Sequence, residues 1–228
     1  METIAPFTSW TGRLSSRTLH AMTDSESSFV PKHIGLTGNI ASGKSTVAAL
    51  LRDKGAEIID ADLLAREAVA PGTAGFDAVV ERFGKEVVAA DGSLDREALR
   101  NRVFASESDR DALNAIIHPI VGKLRMKQFR RARKRGAPVI VSDIPLLYEV
   151  GLAHLFDGVI LVHASEQTRL DRLENIRGLD EETAKAMMDS QLPSEEKRSS
   201  ATWVIDNDGA LDQLALQVDD LWNQLTRP

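Results

Sequence analysis

Two glycines lie five residues apart in the segment HIGLTGNIASGKSTVAALL (residues 33–51), and a lysine and a serine follow the second one. The spacing Gly38-x-x-x-x-Gly43-Lys44-Ser45 is typical of a phosphate-binding loop, in which successive backbone N–H groups surround a phosphate. Glycine permits the backbone angles of so tight a loop, and the lysine reaches the β- and γ-phosphates. We therefore expect this chain to bind a nucleoside triphosphate.

The residues on either side fit the same motif. Residues 33–37 are apolar enough for a buried strand, and residues 46–52 have the pattern of a helix start. The positive end of that helix favours an anion, and the hydroxyl of Ser45 can ligate Mg²⁺. A chance match in an ordinary turn is the alternative, and the strand-before, helix-after context argues against it.

Three aspartates follow predicted strands. In IIDADLLAREAV, Asp60 and Asp62 would point the same way if the chain were still extended there. A carboxylate beside the phosphate loop can accept the proton of an acceptor hydroxyl or hold a magnesium-bound water. The alternative for Asp62 is the cap of a helix that begins at Leu63. Asp143 ends the apolar strand VIVSD, as a Walker B acid does, or else forms a turn before Pro145.

Strand and helix signals alternate from His33 onward. This alternation predicts an α/β fold, a P-loop NTPase with a five-stranded parallel sheet flanked by helices. Helical patterns without an intervening strand predict an inserted helical lobe over residues 62–135. The predicted strands span 33–37, 56–60, 138–143, 158–163 and 203–206, and the lobe helices span 62–69, 75–83, 94–104, 107–116 and 118–135.

The composition is that of an ordinary cytosolic protein: 43% hydrophobic, 27% charged and without cysteine. The absence of cysteine excludes disulfides and thiolate metal sites and suits a reducing cytoplasm. A net charge of −6 argues against a nucleic-acid partner, and no apolar run approaches the length of a membrane span.

Residues 1–31 are rich in serine and threonine and show no sustained period. The pattern faintly resembles an organellar transit peptide, with Arg13 and Arg17. A disordered extension, or an upstream start codon used in place of Met22, is the interpretation we favour. The folded domain is therefore expected to span residues 32–228.

The rest of the chain narrows the class of enzyme. The Asn-Lys-x-Asp tetrad of guanine readers and the Leu-Ser-Gly-Gly-Gln signature of transport ATPases are absent. Small size with an inserted helical lobe favours a small-molecule kinase, because transfer to an acceptor other than water requires that water be excluded. Another metabolite kinase and a regulatory nucleotide switch remain the alternatives.

Several phrases in order resemble the dephospho-CoA kinase family over residues 33–225. They are GLTGNIASGKSTVA, IDADLLAREAVAPG, DGSLDREALRNRVFA, LNAIIHPIV, DIPLLYEVGL, SQLPSEEKR and VIDNDG. The resemblance implies transfer of the γ-phosphate of ATP, with Mg²⁺, to the 3′-hydroxyl of the ribose of dephospho-CoA. It implies ATP and dephospho-CoA as partners, and we expect a monomer or weak homo-oligomer. The resemblance also implies that the helical lobe binds the substrate and that the helical segments over residues 165–195 form a lid.

The resemblance also assigns site residues. It implies that Asp62 is a general base and that Lys44 belongs to the phosphate-binding loop, and we predict Arg177 as the third catalytic residue. The motifs described above predict that Ser45 and Asp143 hold the metal. Asp60, Asp62 and His118 are the predicted substrate-binding residues. The alternative for His118 is a structural role at the start of a helix. ATP binding falls to Gly38, Ala41, Ser42, Gly43, Lys44, Ser45, Thr46 and Asn207.

Two departures from the family pattern stand out. The family reads Gly-Gly-Ile-Gly-Ser-Gly through the loop, whereas this chain has Asn39 and Ala41, and alanine tolerates a positive φ poorly. In the lid, Ile176 stands where the family arginine is expected, and Arg177 follows one place later. Arg177 is the candidate for the transferring phosphate, Arg172 is the reserve, and a solvated lid-helix arginine is the alternative.

The stretch KLRMKQFRRARKRG (residues 123–136) holds eight basic residues. Such a run can attract a polyanionic substrate, but most often it is the solvated face of a helix. It lacks the interleaved aromatic residues of a nucleic-acid stacking platform.

Overall fold

The computed structural model describes residues 31–227, and the predicted extension up to residue 30 lies outside the described residues. Five strands pair in parallel in the order β2-β3-β1-β4-β5, so the predicted sheet is confirmed. Each strand boundary lies within one residue of its predicted position. The strands are β1 (Lys32–Gly38), β2 (Glu57–Asp60), β3 (Val139–Asp143), β4 (Gly158–His163) and β5 (Trp203–Asp206).

Helices connect the strands, and several begin at the polar caps that the sequence supplies. Thr73, Asp95 and Ser106 each accept a backbone hydrogen bond at the start of a helix of the lobe. The helices are α1 (Lys44–Asp53), α2 (Ala61–Ala68), α3 (Ala74–Phe83), α4 (Arg96–Ala105), α5 (Glu107–Lys134), α6 (Glu166–Arg177), α7 (Glu181–Asp189), α8 (Ser194–Ser200) and α9 (Leu211–Thr226).

Helices cover both faces of the sheet. On one face, α1 and α9 pack in a cluster with alternate residues of the central strands, among them Leu36 and Val141. On the other face, Ala132 of α5 packs with Ile59 and Ile140. Since successive strand residues point to opposite faces, this arrangement buries both sides of β3.

Helix α5 differs from the prediction. Two helices were expected, with a break before His118, but one helix of 28 residues runs through Pro119. Proline removes one helical hydrogen bond and usually kinks or ends a helix. Here Ile116 and Ile120, on either side of the proline, pack in the same apolar cluster as Phe83. Tertiary packing therefore carries the helix across the break that the sequence predicts.

Further apolar clusters lie beside the sheet, among them one in the lobe and one in the lid. Helices α2 to α5 form the helical lobe (residues 62–135), where Val79, Phe83 and Leu99 are buried. The lid (residues 165–195) has its own cluster around Leu173 and Ala184. Within residues 31–227, no helix is long and apolar enough to cross a membrane.

Candidate active site

The predicted phosphate-binding loop joins the carboxyl end of β1 to the start of α1. Gly43 has φ +88° and precedes the first helical residue, Lys44. No side chain caps this helix, and its first turn carries no acidic residue. The Thr46 N–H already donates to the Gly43 carbonyl at 3.0 Å, so the N–H groups of Lys44 and Ser45 are the ones left to an anion, which the helix dipole also favours.

Close packing explains why two positions of the loop are glycine. A Cβ atom on Gly43 would lie 2.0 Å from Asn207 Nδ2, and one on Gly38 would lie 2.5 Å from Ser42 Oγ. The amide of Asn207 donates to the Ser42 carbonyl at 2.8 Å. The loop after β5 is thus packed directly on the phosphate-binding loop, and only a residue without a side chain fits between them.

Ala41 has φ +60°, the left-handed conformation that alanine tolerates poorly. For a residue with a Cβ this conformation costs about 1–2 kcal/mol. Arg172 Nη1 donates to the Ala41 carbonyl at 3.1 Å, and Arg172 Nη2 donates to the Asn207 carbonyl at 2.7 Å. The half-buried Arg172 therefore ties the strained loop residue to the segment after β5.

Lys44 and Asp143 form an ion pair at the base of the loop. Asp143 is the last residue of β3, beside Leu36 of β1 and Asp60 of β2. Burial raises the pKa of Asp143 above its usual value, while the adjacent Lys44 opposes that rise. Asp143 is thus a buried strand residue paired with the loop lysine, which argues against the alternative of a simple turn former.

The two aspartates after β2 have different environments. Asp60 Oδ1 accepts hydrogen bonds from the N–H groups of Asp62 and Leu63 at 2.8 and 3.0 Å, so Asp60 caps α2. The helix begins at Ala61, and the alternative of Asp62 as the cap is wrong. The chain is not extended at this point, because Asp62 already lies in the first helical turn, so the condition under which Asp60 and Asp62 would point the same way is not met. Of the two, Asp62 is exposed and lines the cavity described below.

A cavity of about 800 Å³ lies between the loop, the start of α2 and the lid. It brings together all eight predicted ATP-binding residues with Asp62 and Arg177. Asp60, His118 and Asp143 are not among its lining residues, and His118 is exposed on α5. The cavity is lined, among other residues, by Lys44, Ser45, Asp62, Arg177, Gln191 and Asn207.

The lid presents two neighbouring side chains to this cavity. Arg177 is the last residue of α6, is exposed, and precedes Gly178, whose φ of +67° ends the helix. Ile176 lines the same cavity and is 78% exposed. An exposed arginine at a helix end can change rotamer at little cost, whereas Arg172 is already bonded to two backbone carbonyls.

Gln191, for which the sequence predicted no role, contacts the loop directly. Gln191 Oε1 accepts a hydrogen bond from the Ile40 N–H at 2.7 Å, and Asn39 Nδ2 donates to the Leu192 carbonyl at 3.0 Å. The only signal in the sequence was the family phrase SQLPSEEKR, within which no residue stands out by type.

A nucleotide-binding loop at the carboxyl end of a central strand, with a lid and a side lobe, defines the class of P-loop kinases. Comparison with known proteins narrows the class. Residues 32–213 match the family model described as "Dephospho-CoA kinase". The chain therefore belongs to the dephospho-CoA kinase family.

Individual relatives agree with this assignment. A dephospho-CoA kinase of Streptomyces avermitilis is 49% identical over 84% of this chain and 93% of its own length. One from Anaeromyxobacter dehalogenans is 47% identical over 82% of this chain and 89% of its own length. A crystal structure from Thermus thermophilus has a TM-score of 0.76 at 40% identity and covers 86% of this chain and 99% of its own.

Proposed function

We propose that this site transfers the γ-phosphate of ATP to the 3′-hydroxyl of the ribose of dephospho-CoA, giving CoA and ADP. One observation carries the proposal. The cavity joins a complete phosphate-binding loop to the carboxylate of Asp62 and to an exposed lid arginine, in a chain of the dephospho-CoA kinase family. The same cavity therefore has a phosphate-binding site, a carboxylate that can act as a general base, and an arginine that can neutralise negative charge.

In the proposed reaction the ribose hydroxyl oxygen attacks the γ-phosphorus, and the bond from that phosphorus to the bridging oxygen of ADP breaks. The hydroxyl proton passes to Asp62, which is exposed in the cavity and is not used as a helix cap. Lys44 contacts the β- and γ-phosphate oxygens and neutralises their charge. Arg177 stabilises the charge on the transferring phosphoryl group.

Lys44 must exchange partners in this scheme. In the described structure its ammonium group is paired with Asp143. Phosphate oxygens in the loop would compete for that ammonium group, since each is a strong charged acceptor. Asp143 would then be free to interact with a metal cation. That cation would also balance the negative charge of the buried Asp143 carboxylate.

The residues at this point fit a magnesium ion. Mg²⁺ prefers oxygen ligands, and Ser45 offers a hydroxyl at the cavity while Asp143, at the end of β3, offers the carboxylate that is paired with Lys44. Within residues 31–227 no group of three or more potential ligands is suited to hold a metal by itself, so nucleotide oxygens would complete the site. When bound, the ion would act as a Lewis acid on the phosphate oxygens.

His118 and the basic stretch 123–136 have weaker support as substrate contacts. His118 is exposed and lies outside the lining of the cavity. Within the basic stretch, Arg125 is buried and stacks over Phe156, whereas the other basic side chains are exposed. The stretch therefore has the properties of a solvated helix face. A cytoplasmic location and a monomeric or weakly oligomeric state remain predictions.

The proposal is tested by ADP release from the full-length protein with ATP and Mg²⁺, with and without dephospho-CoA. We expect strong stimulation by dephospho-CoA and little by adenosine, shikimate or nucleoside monophosphates. Stimulation by one of those other acceptors would favour a different metabolite kinase. Binding of ATP without stimulation by any acceptor would favour a regulatory switch.

A further inference from the structure

The first half of the phosphate-binding loop is held by the segment that connects α7 to α8. Gln191 accepts a hydrogen bond from the Ile40 N–H, and Asn39 donates one to the Leu192 carbonyl. Two consecutive loop residues are therefore bonded to two consecutive residues of the connection. Because the Ile40 N–H is already engaged by Gln191, it is not free to bind a phosphate in this arrangement.

Apolar packing strengthens the same contact. Ile40 and Ala41 pack against the lid cluster that contains Leu173, Ala184 and Met188. The left-handed conformation of Ala41 is unfavourable for alanine, so surrounding contacts must hold it in place. The lid supplies such contacts through both its apolar cluster and the Gln191 hydrogen bond.

A buried ion pair anchors the connection on its other side. Lys197 Nζ of α8 lies 2.6 Å from Glu149 Oε1, and the Lys197 side chain is 0% exposed. The same Glu149 oxygen accepts a hydrogen bond from the Leu192 N–H at 3.3 Å. A buried lysine is costly unless its charge is paired, so the pair constrains the distance between the two segments that carry it. Leu192 is thereby fixed between Glu149 and Asn39.

We propose that Gln191 is a positioning residue for phosphoryl transfer, and that the buried Lys197–Glu149 pair keeps it in place through Leu192. This inference rests on the function proposed above. Gln191 would set the path of the loop at Ile40, and with it the convergence of the later N–H groups on the phosphates. A small displacement of those groups lowers the rate strongly, because the γ-phosphate and the acceptor must be aligned.

The first test compares Gln191→Ala with Gln191→Glu, which keeps an acceptor oxygen for the Ile40 N–H. Gln191→Ala should lower kcat/KM for ATP by about tenfold or more and leave KM for dephospho-CoA and the Tm unchanged. In Gln191→Glu the Ile40 N–H keeps its acceptor, so kcat should stay within about threefold of the wild type, whereas the added negative charge beside the phosphates should raise KM for ATP. Gln167→Ala is the matched control, because Gln167 is an exposed lid glutamine bonded to Asp171.

A readout independent of catalysis is the hydrogen exchange of the Ile40 amide, measured by NMR. Loss of its acceptor in Gln191→Ala should speed exchange by about tenfold, whereas Gln167→Ala should not change it. Unchanged exchange and unchanged kcat/KM in Gln191→Ala would overturn the proposal. A lowered Tm with unchanged kcat/KM would do the same, because it would reveal a purely structural role.

The role of the ion pair is tested with Lys197→Met alone and combined with Glu149→Gln. The single substitution leaves a poorly solvated carboxylate and should impair kcat/KM for ATP as Gln191→Ala does. The double variant restores neutrality, fills the volume of the lysine, and keeps an amide oxygen for the Leu192 N–H. It should recover to within about threefold of the wild type. An equally impaired double variant that folds normally would contradict the assigned role.

The two proposals fail in different ways. If the wild-type protein formed no CoA, the proposed function would be wrong. The exchange rate of the Ile40 amide in wild-type and Gln191→Ala protein, measured with and without ADP, would still decide whether Gln191 positions the loop. If CoA formed but Gln191→Ala matched the wild type in every readout, only the positioning role would be wrong.

Discussion

The two ends of the phosphate-binding loop differ in what holds them. The second end, Gly43 to Thr46, is continuous with α1, and its backbone is fixed by the helix itself. The first end, Asn39 to Ala41, is held by the side chains of Gln191 and Arg172, which come from distant segments of the chain.

The second end of the loop provides the phosphate-binding groups, whereas the first end depends on tertiary contacts for its conformation. At the second end, the helix start and Lys44 supply the charges that a phosphate needs, and a local sequence motif encodes them. At the first end, the chain departs from the family pattern at Asn39 and Ala41. There the lid compensates with tertiary contacts, which include the one that Asn39 makes to Leu192. Substitutions at the two ends should therefore differ in size and kind.

The largest effect is expected at the second end. Lys44→Ala removes the cation that we propose contacts the β- and γ-phosphates, and it should lower kcat by about a thousandfold. It also leaves Asp143 buried without its ionic partner, which should lower stability. Steady-state kinetics and a Tm measurement separate the two effects, with Lys54→Ala, at the end of α1, as the control. Near-wild-type turnover would remove Lys44 from the site.

The next effect concerns the proposed base. Asp62→Asn should lower kcat by about 10²–10⁴-fold and roughly preserve ATP affinity, because the side chain lines the cavity without contacting the loop. Asp60→Asn is an informative partner, since asparagine also caps helices well and should keep most of the activity. Weakened ATP binding with normal turnover at saturation would make Asp62 a positioning residue.

The two lid arginines should respond differently. Arg177→Ala removes an exposed charge and should lower kcat by about a hundredfold with little change in Tm. Arg172→Ala breaks the bonds to the Ala41 and Asn207 carbonyls and should instead raise KM for ATP and lower the Tm. Reversed results for the two variants would show that Arg172 contacts the transferring phosphate.

The smallest effect is expected at Ala41. Glycine adopts φ +60° without strain, so Ala41→Gly should leave the free energy of unfolding unchanged or raise it by up to about 1 kcal/mol. Ala49→Gly, at an exposed position of α1, should cost about 1 kcal/mol. Chemical denaturation measures both. Equal destabilisation by the two substitutions would mean that Ala41 is not strained.

The sequence predicted the elements near the site well where a single local pattern determines them. The phosphate-binding loop and the sheet follow from spacing and from runs of buried apolar residues. Helix α5 was wrongly divided, because the packing of Ile116 and Ile120 outweighs the local preference of Pro119. The start of α2 was also displaced, because either Asp60 or Asp62 can cap a helix and nothing local chooses between them.

The contacts of the first loop end are long-range and were not predicted. Gln191 lies 151 residues from Ile40 along the chain, and Lys197 and Glu149 come from different segments. Neither a glutamine in a connection nor a lysine in a polar helix differs by type from an ordinary surface residue. Their roles emerge only when the sheet and the lid bring the segments together.

Transfer of the γ-phosphate to a ribose hydroxyl, with water excluded, is tested by the stoichiometry of the two products. Full-length protein is given ATP, Mg²⁺ and dephospho-CoA, and ADP and 3′-phosphorylated product are quantified in the same sample. We expect one CoA for each ADP, and the same ratio at a much lower rate in Asp62→Asn. ADP formed without a matching amount of CoA would contradict it, because the phosphate would then be passing to water.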